Sequence, residues 1–212
     1  MDVRPSEQQS SLRPLAAAAA AWILAVGALA LAGGFTTEDR IPVGLIVAAV
    51  SPPLAFGVAW CAAPAVRRWA AGLDLRILVA LQLWRVIGAA FLFVLATGEV
   101  SGTFAWPAGI GDIATGIAAM AVLSALLKGS LTRGRLLAFS ALGFGDFIVA
   151  FVVAGAVSPE SVADFPLALF PAAAIPCFAV LHVLALIQVR RLPVRVVSHS
   201  PAVGGPAGNR GV

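Results

Sequence analysis

Four side chains with the means to do chemistry stand inside apolar runs: Arg85, Asp112, Asp146 and His182. Arg85 lies in Gln82-Leu83-Trp84-Arg85-Val86-Ile87-Gly88, within the apolar stretch Leu75–Thr97. A stretch of that length crosses a bilayer as a helix, which puts Arg85 near the middle of the hydrocarbon. An unpaired charge there costs from about 2.5 to more than 10 kcal/mol. Asp112, Asp146 and His182, each within another apolar run, are the groups able to offset it. Ionisable residues at membrane depth mark proton relays, ion paths or internal pairs. The sequence therefore predicts a substrate or proton path made of Arg85, Asp112, Asp146 and His182. Gln82 and Thr115 join it from the same stripes. The competing reading is a structural ion pair that fixes helix register.

Depth refines that reading. At the helical rise, Arg85 lies roughly 13 Å from Arg76, His182 roughly 12 Å before Arg190, and Asp146 roughly 16 Å after Arg135. Asp112, counted from a span beginning at Pro107, lies roughly 8 Å from the opposite end. On that count Asp146 is the direct partner of Arg85, and Asp112 is an entry group nearer the outside. Small residues share a stripe with each acid: Gly109 and Gly116 with Asp112, Gly143 and Ala150 with Asp146. Such stripes let membrane helices approach closely.

The elements that must position these groups are membrane helices. The chain is 60% hydrophobic and 11% charged, with a mean hydropathy of +0.98, which excludes an ordinary soluble domain. The net charge of +4 is spread over short loops rather than gathered in a patch, so nucleic acid is not an expected partner. The predicted fold is all-α, with six spans at about 15–34, 41–63, 75–97, 107–127, 136–157 and 166–189. They form one domain, 15–191, between disordered tails at 1–14 and 192–212. Pro52-Pro53 predicts a kink or break in the second span. The first span, with its Ala30-Leu31-Ala32, is read as a retained helix rather than a signal peptide.

Charge sets the expected orientation. Alternate loops carry Arg67, Arg68 and Arg76; Lys128, Arg133 and Arg135; Arg190, Arg191 and Arg195. The others carry Glu38, Asp39, Glu99, Glu160 and Asp164 against a single Arg40. These are called the basic-loop and acidic-loop ends below. The positive-inside rule then puts both termini in the cytoplasm, with the spans as three antiparallel hairpins. Cys61 and Cys177 lie in apolar runs without metal-ligand spacing.

Three functions follow from the polar set. The first is small-solute or proton-linked transport, with the acids and His182 as the path and Arg85 as counter-ion or anion clamp. The second is a non-catalytic accessory or assembly protein whose cluster binds a partner helix, a lipid headgroup or a small ligand, with a partner membrane protein or a homo-oligomer as the expected assembly. The third is an enzyme. Gly109-Ile110-Gly111-Asp112 and Gly143-Phe144-Gly145-Asp146 resemble the GxGD motif of intramembrane aspartyl proteases, in which two carboxylates share a proton. The flanking patterns of those families are absent, and enzyme is the least favoured reading. No catalytic residue, metal or cofactor is assigned. With QLWR, GIGD, GFGD and a late LHxLALIQ, the chain over Leu75–Val189 also resembles a group of bacterial six-span inner-membrane proteins without a known activity. That resemblance implies a bacterial inner-membrane location and a bilayer as the chief partner.

Overall fold

The computed structural model describes residues 5–36, 43–157 and 162–193. Its helices are α1 (Pro5–Leu31), α2 (Val43–Ala62), α3 (Pro64–Gly72), α4 (Leu75–Leu81), α5 (Ala89–Ala96), α6 (Gly102–Leu127), α7 (Arg133–Val157) and α8 (Ile175–Ile187). A 3-10 segment, Gln82–Gly88, joins α4 to α5, and a π turn, Phe170–Ala174, leads into α8. Six stretches are long and apolar enough to cross a membrane, and no strand occurs among the described residues. The protein is an all-α, multi-pass membrane protein.

Several boundaries differ from those expected. α1 begins at Pro5 rather than Leu15 and runs through Pro14. The expected C-terminal tail lies outside the described residues from 194 onward. α2 passes through Pro52 and Pro53 as one continuous helix. The lost donors would have served the carbonyls of Ala48 and Ala49, two small buried residues held against neighbouring helices. Residues 64–72, expected as a loop, form a short amphipathic helix with proline in its first turn, a position that needs no donor.

That short helix is tied at both ends. Arg67 Nη1 donates to the carbonyls of Trp60 and Cys61, each at 2.9 Å, and so caps the end of α2. The buried Gln188 Nε2 donates to the carbonyls of Ala70, Ala71 and Leu73 at 2.8, 3.2 and 3.3 Å. Orphan carbonyls at a helix end are thus satisfied from the foot of the last span. α6 ends in a Schellman turn: Gly129 takes φ +66°, and Ser130 N donates to Ala125 O at 2.8 Å.

The last span organises the packing. Half of its most apolar window is buried, against 11% for the first span. It packs against α2, α4 and α7, while α1 meets its π turn. α6 packs along the third span and along α7. Contacts therefore radiate from the sixth span and from α6.

Candidate functional site

The 3-10 segment explains how an arginine is placed in the core. With three residues per turn, positions i, i+3 and i+6 eclipse one another. Gln82, Arg85 and Gly88 therefore share one edge, and all three are buried. The other edges face outward, with Trp84 68% exposed while Arg85 is 0% exposed. An α-helix would rotate Gly88 about 120° away from Gln82 at 3.6 residues per turn. The tighter winding keeps all three on the bundle interior.

Glycines let the neighbouring helices close on that edge. A β-carbon on Gly88 would collide with Asp112, one on Gly111 with Asp146, and one on Gly143 with the His182 ring. Gly116 packs as closely on Val86, whose Cγ1 would lie 2.8 Å from an added β-carbon. Gly109, Gly111 and Gly143 of the two Gly-x-Gly-Asp stretches thus have a packing role: the first motif admits the acid of the second, and the second admits the imidazole.

Arg85 meets both carboxylates. Its Nε donates to Asp112 Oδ1 at 2.8 Å, and its Nη2 donates to Asp146 Oδ2. Nη1 donates to the Gly143 carbonyl at 3.4 Å and lies 3.5 Å from His182 Nε2. The Phe147 ring covers the guanidinium at 4.1 Å from Cζ to the ring centre, and Phe178 lies at 5.8 Å. The expectation of Asp146 alone as partner is therefore corrected. α6 begins at Gly102, not at Pro107, so Asp112 lies ten residues into the helix, or roughly 15 Å. It stands level with Arg85 instead of above it.

The other expected site residues divide. His182 is fully buried, faces the arginine through Nε2, and is boxed by Phe139 and Phe144 at 4.9 and 5.4 Å between ring centres. Gln82 Nε2 donates to the Phe178 carbonyl at 3.1 Å, which ties it to α8 one turn from His182. Thr115 is buried, but its hydroxyl donates to Gly111 O at 2.9 Å within α6, so it makes no bond to the cluster. The sequence reading missed Ser140, a buried hydroxyl without a hydrogen-bond partner among the described residues. Its place three and seven residues before Gly143 and Phe147 was the available signal. Phe147 and Phe178 gave none, since an aromatic in an apolar run reads as core.

A cavity of about 40 Å³ reaches the cluster from the acidic-loop end. Asp112 and Asp146 form its polar floor, and Phe91, Phe104, Phe147, Phe151, Phe170 and Phe178 line much of its wall. At roughly 10–15 Å³ per water centre it has room for two or three waters. Arg85 does not line it. Toward the basic-loop end Leu78, Val79, Leu136 and Leu184 are all at 0% exposure and close the interior. No group of three or more His, Cys, Asp or Glu side chains among the described residues is placed to hold a metal.

Six apolar helices around a buried Arg–Asp–Asp cluster define an integral, multi-pass membrane protein. Residues 42–190 match the model of the Domain of unknown function family DUF8737, and the chain belongs to that family. No curated protein and no solved structure matches it.

Proposed function

We propose that this protein is a small proton-linked transporter of the bacterial inner membrane, with both termini cytoplasmic and with Asp112 and Asp146 as its proton-binding groups. The observation that carries this reading is that both carboxylates are held by Arg85 while also forming the floor of a cavity. A purely structural ion pair needs no opening. The formal charges of the trio sum to minus one, and such an excess at membrane depth calls for a proton or another cation. His182, touching the guanidinium on the closed side, is the next group along a path toward the basic-loop end. Gln82 positions α8 beside it.

The expected role of Arg85 as an anion clamp loses support, because the guanidinium is sealed away from the cavity. It acts as the internal counter-ion. The aspartyl hydrolase reading loses support as well, because a guanidinium stands between the two acids where a shared proton would have to lie. The accessory reading draws on one observation, the fully buried basic-loop half.

The test is proton flux in proteoliposomes loaded with a pH-sensitive dye, across a series of imposed pH gradients. Flux above empty vesicles, lost in Asp146→Asn, is the expected result. Flux equal to that of empty vesicles at every gradient sinks transport in favour of the accessory role.

A further inference from the structure

We infer that the cavity is a binding site for a small monovalent ammonium-type cation, held by the free oxygens of Asp112 and Asp146. This rests on the transport reading above and names the class of its co-substrate. Asp112 spends Oδ1 on Arg85, and Asp146 spends Oδ2. The hydrogen bonds of these acids run through Asp112 Oδ1 and Asp146 Oδ2, which leaves Asp112 Oδ2 and Asp146 Oδ1 to spare, although the Asp146 side chain is only 7% exposed. Both acids line the cavity. Asp112 Oδ2 lies against Gly88 and Asp146 Oδ1 against Gly111, at the margin of the cavity the two side chains line, and a nearly buried carboxylate oxygen without a donor gains from one.

The charge of the site selects a cation. Among the described residues Arg85 carries the sole positive charge in contact with the two acids, and Phe147 covers it, so a solute in the cavity meets carboxylates and not the guanidinium. One carboxylate charge is left over after the ion pairs. An anion entering this site gains no partner. A cation gains the free oxygens and, around them, phenyl faces of the kind that attract ammonium groups. His182, the other titratable group touching the cluster, reaches it on the guanidinium side through Nε2 and does not line the cavity.

Size narrows the class. About 40 Å³ with largely apolar walls suits a head of two or three heavy atoms, N–H donors at one end and carbon at the other. That describes ammonium or a short primary amine in its protonated form, not a large dye. The same oxygens accept either that cation or a proton, so the two compete. When a cation enters, a proton held on a carboxylate leaves to water, and no bond to carbon is made or broken.

The experiment is equilibrium binding of radiolabelled methylammonium to the purified full chain in detergent, over a pH series. Ammonium and acetate serve as competitors, and proton flux is measured on the same preparation in vesicles. Saturable binding that weakens as pH falls, is displaced by ammonium and ignores acetate is expected. Asp146→Asn should weaken it at least tenfold. Because that variant also disturbs the ion pairs, Ala150→Leu fills the cavity from its wall without touching them, and it should abolish binding while helix content is kept. Absence of methylammonium binding, displacement by acetate, or binding untouched by Ala150→Leu would each overturn the inference. Proton flux without methylammonium binding overturns the cation class and leaves proton transport standing. Binding without flux does the reverse.

Discussion

The two halves of the bundle on either side of Arg85 are built on different rules. On the acidic-loop side, phenylalanines and alanines surround a cavity, and two carboxylates look into it. On the basic-loop side, leucines and valines pack to zero exposure, and the polar groups Gln82, Ser140 and His182 are enclosed among them. One half is filled by side chains and the other leaves room for a visitor. The guanidinium is the partition: bonded to both acids on one face, touching His182 on the other. On the proposed reading the contrast puts stability in one half and exchange in the other, because close packing resists change and a void accommodates it.

The largest effect should come from removing the partition. Arg85→Ala leaves two carboxylates unpaired at membrane depth, a loss of about 3–5 kcal/mol by analogy with broken buried pairs. Because both acids bond the same guanidinium, adding Asp112→Asn or Asp146→Asn to Arg85→Ala should each restore part of the loss. Thermal unfolding in detergent, followed by far-UV circular dichroism, measures this. Rescue by one double variant alone would show that a single acid carries the pairing.

Next comes the closed half. Leu184→Ala removes a fully buried side chain and should lose about 2–5 kcal/mol by the same assay. Ala154→Val, on the cavity wall, should change stability by less than about 1 kcal/mol, within the range of tolerated apolar swaps. Equal losses at both sites would erase the distinction between the halves. Within Gly143-Phe144-Gly145-Asp146 the effect should split. Gly143→Ala pushes into His182 and should lose about 1–3 kcal/mol, whereas an added β-carbon on Gly145 meets nothing within 4 Å. Gly145→Ala should therefore be near neutral. A modest loss, about 0.5–2 kcal/mol, should follow Phe147→Leu, which keeps an apolar cover but gives up the ring face over Arg85.

The spans were legible because hydropathy and length decide them, and the polar set was legible because charges in hydrocarbon are too costly to be incidental. The pairing was legible by half: Arg85–Asp146 was expected, and Arg85–Asp112 was not. Pro107 looked like a helix start, as proline often is, yet it sits five residues inside α6, and the depth of Asp112 was misjudged by that much. The 3-10 winding at Gln82–Gly88 left no mark in the sequence either, since its residues fit an α-helix as well. Its cause is tertiary: the segment must turn a glutamine, an arginine and a glycine onto one edge. In the two Gly-x-Gly-Asp stretches the packing role was equally hidden: Gly109, Gly111 and Gly143 stand at close helix contacts, which the motif alone does not reveal.

The 3-10 segment also sets a length and an angle. Seven residues at about 2.0 Å and 120° each span roughly 14 Å, whereas α-helical winding of the same seven spans roughly 10.5 Å and turns 100° per residue. Converting one to the other draws α4 and α5 together by about 3.5 Å and counter-rotates them by about 140°. The stretch that carries Arg85 thus works as a screw thread whose pitch sets the register: only the 3-10 pitch holds the guanidinium on its two acids, and α-helical winding would carry it off them without bending the span.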